Sequence, residues 1–521
     1  MAGLASPVAD AGAPLPALAP AAEGPATSPP PGGPAASPEP GHRPAAGRHA
    51  PPAAARGRLA RLRTTPGRVR LLAAGSVAGA ALLAAAIAVA YSGMAGEVSA
   101  IGGTDAPEVT ASTGLYFSLN DMDAQVANML LATTDPALAG DRSQYLATYD
   151  ADRASAYGNL QQAAVTAAGN PAAEQQLHQV LNDTGQYEAL AADALLASQP
   201  HAATTAGPGT AVGYYQQATD LMRTAILPRV SALTSVSTAK LAASYTAGRS
   251  DAGTGMALSV AGGLVTVAAL AGFQVFLARR FRRLVSPALA AATVIAVALT
   301  VTAAARLDTE SGHLQVAKQD AFDSIVALSQ ARAVSYDANA NESRYLADPG
   351  RAAMYQQSFL TESQELAAVG AVGLRGYEPA LAADFRAWQA SHADVRFGGY
   401  LGAEFRNITF PGEQAAAVAT LKAYLAYEQD DHVLRTLNAT SPRAAASYDT
   451  SMAPGQSNWA FYQYDSALEA LIAINQRAFN AAIAAGQGGT AGWSGLIPAG
   501  GALAIAVLAL LGARPRLAEY R

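Results

Sequence analysis

The sequence predicts an all-α, polytopic membrane protein with four transmembrane helices and two helical bundles outside the membrane, laid out as a duplicated two-span unit. Three observations predict it. Four long apolar stretches carry no charge, arginines cluster beside them, and the two long segments between them show helical periodicity. Composition points the same way: the 521 residues are 51% hydrophobic and only 14% charged, against about 25% charged in soluble domains. The chain has no Cys, which excludes a disulfide scaffold, a Cys-ligated metal site and a thiol nucleophile.

Residues 1–70 form a cytoplasmic tail. Residues 1–55 hold 14 of the 29 prolines, with too little apolar surface to offset chain entropy, so this part is expected to be disordered. Its basic end carries Arg61, Arg63, Arg68 and Arg70. The spans follow at 71–91, 256–277, 288–305 and 496–511, near the ~17–25 residues a bilayer-crossing helix needs. Gly75 and Gly79 form a small-xxx-small pair suited to close helix packing. A basic turn at 278–287 contains Arg279, Arg280, Arg282 and Arg283, and a tail at 512–521 contains Arg514 and Arg516.

Lys and Arg near spans mark the cytoplasmic side, so these clusters place both termini inside. The inside segments carry 15 Lys and Arg against four Asp and Glu, whereas the loops 92–254 and 306–494 carry 19 against 35. The loops are therefore expected outside the cell membrane, with a net charge of −16. Such an acidic surface favours a basic partner face.

Both loops read as helical bundles. In the first, Leu115, Leu119, Met122, Val126 and Met129 are spaced as a heptad seam. A second seam runs Val212, Tyr215, Thr219, Met222, Ile226, Leu233, Val236 and Lys240, and two more helices fall near 142–167 and 172–198. The second loop predicts a long helix to Leu346, then helices near 351–372, 378–400, 412–438 and 457–484. Asp121-Met-Asp123-Ala124 aligns with Asp337-Ala-Asn339-Ala340, and both precede an Asp-Pro break at Asp135-Pro136 or Asp348-Pro349. This repeat supports duplication.

No catalytic residue is expected. There is no His-x-x-x-His pair, phosphate-binding glycine loop or nucleophile elbow, so neither a metal nor a cofactor is expected. The run Glu428, Asp430, Asp431, His432 reads as a solvated helix face. The spans hold no ionisable residue, which disfavours transport. Polar residues among the seams, Asp121, Asp123, Asp337, Asn339 and Asn341, are the candidate ligand- or partner-binding positions.

Several stretches carry a family resemblance: Tyr214-Tyr-Gln-Gln-Ala-Thr-Asp220-Leu-Met222, the Arg279–Pro287 turn, the Asp-x-Asp/Asn-Ala repeat and Ala467-Leu-x-x-Leu-Ile-x-x-Asn475-Gln476. With the layout of two span–loop–span units, these resemble the actinobacterial four-span membrane proteins associated with a glutamine/glutamate-binding lipoprotein and a Ser/Thr protein kinase. The outer domains also resemble four-helix chemoreceptor sensor bundles. The resemblance implies a non-enzymatic sensor or adaptor in the bilayer, with an outer solute-binding lipoprotein and a cytoplasmic kinase as partners and no nucleic acid. Homo-oligomerisation is left open. The alternative is a structural or assembly protein of the cell envelope.

Overall fold

The computed structural model describes residues 64–134, 138, 140–167, 171–199, 209–281 and 286–518. The Pro-rich tail, Arg61, Arg63, Asp135, Pro136, Arg282 and Arg283 lie outside the described residues, as does the side chain of Arg516. The described residues are almost all helical, joined by short turns, with no strand among them.

The first helix, α1 (Thr65–Ala100), starts where its residues dictate. Thr64 caps it, accepting from Gly67 N at 3.3 Å, and a proline occupies the first turn. It passes through a π-turn (Ile101–Asp105) into α2 (Ala106–Thr134) without a break. Helices α3 (Arg142–Ala167) and α4 (Pro171–Ala197) follow. A second continuous rod consists of α5 (Thr210–Leu221), a π-turn (Met222–Ile226) and α6 (Leu227–Phe281). A third consists of α7 (Pro287–Gln315), a π-turn (Val316–Phe322) and α8 (Asp323–Ala347).

The second loop is more broken than its periodicity predicts. It continues with α9 (Ala352–Leu366), α10 (Leu374–Ala390), α11 (Gly399–Asn407), α12 (Glu413–Thr440) and α13 (Pro442–Thr450). The expected helix at 378–400 therefore ends early. Gly399 (φ 67°) opens the next helix, and a Cβ there would lie 2.5 Å from the Glu365 carbonyl oxygen. Only glycine permits both the backbone angle and that approach. Helices α14 (Ser457–Thr490) and α15 (Leu496–Ala518) complete the chain, separated by a bend containing Gly492 (φ 76°).

Four helices are long and apolar enough to cross a membrane. Their close contacts define the packing. Gly79 faces Thr266 and Gly255 faces Ala90, so α1 and α6 run antiparallel. Gly263 meets Thr300, while Gly501 and Gly512 meet Leu299 and Leu289. The helices α6, α7 and α15 thus alternate in direction, and α15 packs back on α1. This order brings Arg68, Arg70, Arg279, Arg280 and Arg514 to one end of a four-helix bundle. The interior is apolar and mixes small residues (Ala73, Ala80, Ala292, Ala296, Ala509) with large ones (Leu270, Phe273, Leu289, Ile505), whereas Leu82, Leu264, Val294 and Leu503 point outward. That arrangement suits helices whose outer faces meet lipid while small residues let their backbones approach. Gly79 makes such an approach, but the expected pair is only half used: a Cβ on Gly75 would meet nothing within 4 Å.

At the opposite end of the bundle, Tyr91 stacks on Trp493 (ring centroids 5.2 Å apart) and donates to the Ala303 carbonyl at 2.9 Å. Arg306 covers the Trp493 ring at 5.8 Å. Amphipathic rings of this kind belong at a membrane–water boundary.

The π-turn at Met222–Ile226 corrects the second seam. Val236 is 57% exposed, and between Val230 and Leu241 the buried positions are Val230, Thr234, Ser237 and Leu241. The expected Leu233–Val236–Lys240 stripe is thus displaced by one residue. A π-turn inserts one residue into the helical repeat and rotates every later side chain. The two π-turns that follow the first and third spans correspond: Asp337 lies 216 residues after Asp121, and the same offset carries Ile101 to Ala317.

The close crossing sets a first prediction. A Cβ on Gly255 would lie 2.3 Å from the Ala90 Cβ. Gly255→Leu is expected to destabilise the detergent-solubilised protein by about 1–3 kcal/mol through overpacking. Gly75→Leu is expected to stay within about 0.5 kcal/mol. Denaturant unfolding of the two variants side by side provides the measurement.

Candidate functional site

Each loop has its own apolar core, one centred on Leu119, Met122 and Tyr187, the other on Phe359, Tyr427 and Leu468. They meet through an apolar cluster near the spans, where Val98, Ile101 and Leu241 pack on Phe322 and Phe479, and through a polar seam farther out. Asp337, Asn341 and Arg344 are spaced 4 and 3 along α8, which aligns them on one helix face. Arg344 is fully buried. It donates to Asp123 Oδ2 through Nε (3.0 Å) and Nη2 (2.6 Å), and through Nη1 to Asp337 Oδ1 (2.6 Å) and Asn341 Oδ1 (2.9 Å). The other Asp123 oxygen accepts from Tyr187 and Thr219, both at 3.1 Å. One carboxylate thus gathers α2, α4, α5 and α8.

Two carboxylates around one guanidinium leave an excess negative charge, and neighbouring acids respond to it. Burial would raise Asp337, but Arg344 and Arg223 outweigh it and hold that carboxyl below its usual range. Glu362 moves the other way: burial first, then the Asp337 charge, push it well above the normal carboxylate value. Asn341 donates to both of its oxygens, at 2.7 and 2.9 Å.

Of the five positions proposed from sequence, the structure brings Asp123, Asp337 and Asn341 together at Arg344. The other two go elsewhere. Asn339 bonds Glu342 at 3.4 Å. Asp121 accepts from Gln125 (2.7 Å) and faces Asp152 on α3. Burial and then the Asp121 charge raise Asp152 to about 9, so this pair holds a proton near neutral pH.

Sequence reasoning missed Arg344 and misjudged a second cluster. Glu428 and Asp431, read as a solvated face, are buried. Glu428 accepts from Tyr424 (2.6 Å) and Ser363 (2.9 Å), and burial raises it to about 8. Asp431 pairs with Arg435 at 2.7 Å. The signal was present in the spacing Tyr424, Tyr427/Glu428, Asp431, Leu434, a helical stripe that joins aromatic and acidic residues on one face. Ser343 bridges the loops, bonding Asn128 of the first (2.8 Å) and Asp449 of the second (2.9 Å).

Beside Asp337 the seam opens into a cleft of about 370 Å³, lined by Tyr116, Arg223, Ser358, Glu362 and Glu365. Two adjoining spaces of about 270 and 110 Å³ share Tyr116 with it. Among the described residues, no group of three or more His, Cys, Asp or Glu could hold a metal ion.

The architecture is therefore that of an all-α, multi-pass membrane protein whose loop domains meet at a buried ion-pair seam. Residues 97–246 match the family model described as actinobacterial sensor domain, which supports a sensor protein of actinobacterial type. The matched stretch runs from the end of α1 through the part of α6 that packs on α2, and it contains Asp123, Tyr187 and Thr219. No curated protein and no solved structure matches the chain.

Two predictions follow from these buried groups, one for the seam and one for the Asp121–Asp152 pair. Arg344→Met strands two buried carboxylates, and removing one partner of a buried pair costs about 3–5 kcal/mol. The variant is expected to unfold at lower denaturant, with Asp123→Asn partly restoring stability in the double mutant, as a double-mutant cycle would read. The second concerns pH. Because Asp152 keeps its proton in the fold but not in the unfolded chain, stability from this pair falls as pH rises from about 4 toward 9. Asp152→Asn removes that loss, so its melting temperature is expected to exceed that of the parent at pH 8 by more than at pH 5.

Proposed function

We propose that this chain is a non-enzymatic sensor or adaptor of the cell membrane. It receives a signal in its two loop domains and passes it through the spans to a separate protein. The observation that carries the reading is continuity: three rods run unbroken from apolar spans into the domains that form the Arg344 seam. A rearrangement at the seam then has a mechanical path to the far end of the bundle. The sensor-domain match over 97–246 supports the same role.

The arginines gathered at one end of the bundle support, by the positive-inside rule, a reading in which that end and both termini are cytoplasmic. The acidic loops then face outward. In this reading a separate partner on the cytoplasmic side carries the response. By the family resemblance, that partner is a Ser/Thr kinase, and an outer solute-binding lipoprotein delivers the amino-acid signal.

Crosslinking of the full-length protein in its native membrane, followed by mass spectrometry of what it captures, tests the reading. A solute-binding lipoprotein and a kinase are expected. Recovery of envelope-synthesis or division proteins alone would replace the sensor with a structural component of the envelope.

A further inference from the structure

We infer that the cleft beside Asp337 is a binding site for a small organic cation, a primary ammonium compound held between the two loop domains. The inference deepens the sensor reading, on which it rests for the meaning of binding though not for the binding itself.

The lining comes from both loops. Tyr116 stands on α2, and Arg223 lies in the π-turn at Met222–Ile226. Asp337 stands on α8, and Ser358, Glu362 and Glu365 stand on α9. About 370 Å³ falls within the ~300–1,000 Å³ typical of small-ligand sites.

Charge decides the ligand class. Three carboxyl groups line the cleft against a single guanidinium, Arg223, which donates to Ser358 at 2.7 Å. Arg344, behind Asp337, is already committed to Asp123, Asp337 and Asn341 and has little left for the cleft. Without further positive charge, Glu362 and Glu365 are pushed up, chiefly by burial and then by Asp337. An ammonium group supplies the missing charge and three N–H donors, and both carboxyls can then ionise to receive it. Tyr116, in the same lining, brings an aromatic ring close to such a cation. An anion would have to settle beside Asp337 with one guanidinium to hold it, and an apolar ligand would strand the polar wall.

Occupancy would also bear on the spans. Drawing Glu362 and Glu365 toward a ligand pulls α9 toward Arg223, whose helix continues as α6 into the second span. The same cation would compete with Arg344 for Asp337 and loosen that side of the seam.

The test uses the full chain in nanodiscs and thermal stability as the readout. Putrescine and n-butylamine are the probes, with 1,4-butanediol, succinate, NaCl and MgCl2 as controls. Both amines are expected to raise the melting temperature in a saturable way, and the controls are not. Glu365→Gln is expected to raise the half-saturating amine concentration at least tenfold. Glu469→Gln, on a separate groove beside Arg332, is expected to leave it unchanged. Affinity should tighten as pH rises above the ordinary carboxylate range, because Glu362 and Glu365, both raised by burial and by Asp337, must lose protons to receive the cation; Asp337, Arg223, Arg344, Tyr116 and Tyr400 are the other ionisable groups around them. Absence of an amine shift, an equal shift with succinate or MgCl2, or an unchanged response in Glu365→Gln would overturn the site. A cysteine crosslink between Arg68 and Arg280 positions, followed with and without amine, separates the two levels. Amine binding with unchanged crosslinking leaves the ligand site standing and removes the relay; partner capture without amine binding does the reverse.

Discussion

The loop domains depend on one buried guanidinium. Arg344 has no contact with water, and its cost in desolvation is met only because Asp123, Asp337 and Asn341 surround it. Asp123 is in turn fixed by Tyr187 and Thr219, so the first loop must have its own helices in place before it can receive Arg344. A polar seam of this kind contributes less to stability than an apolar one of similar area, yet it specifies a single docking geometry. It also leaves the surplus carboxyl groups, Glu362 among them, whose protonation follows from the local charge balance.

The π-turns join that seam to the spans. Each of the three unbroken rods contains one between its apolar segment and the far end of its loop domain. Each locally widens the helix and rotates what lies beyond. In the second rod the turn moves the buried stripe onto Thr234, Ser237 and Leu241 and leaves Val236 in solvent. Ser237 then reaches Glu108 at 2.9 Å, and Lys240 reaches Glu108 at 2.8 Å from the edge of the same interface. Without the inserted residue, these groups would not face α2.

The spans solve a different problem. Alanine and glycine at the crossings bring the helices close, while Leu83, Ile87, Leu270, Phe273 and Ile505 fill the space between those crossings. Gly489 extends the same logic above it: a Cβ there would overlap the Glu310 carboxylate, at 1.6 Å from Oε1. The fourth rod differs from the others because it bends at Gly492, where Trp493 swings inward onto Tyr91.

Much of this was legible in the sequence, and the limit has a physical form. The four spans and the basic residues that flank them are local properties of composition, and Leu115, Leu119, Met122, Val126 and Met129 formed a buried stripe because α2 is regular over that length. The polar positions Asp123, Asp337 and Asn341 stood out as residues out of place on apolar seams. Their partner did not: Arg344 lies 221 residues from Asp123, and no spacing rule joins residues that far apart. Glu428 and Asp431 look like any charged helix face until Tyr424, Ser363 and Arg435 are packed around them. The shift at Met222–Ile226 carries no residue signature, because a π-turn is stabilised by the contacts of the turns on either side. The sequence by itself determined the spans, their flanking charges and the helical periods, since each is set by residues near one another along the chain. Only the tertiary structure decided register, pairing and protonation, since each depends on groups brought together from both loops.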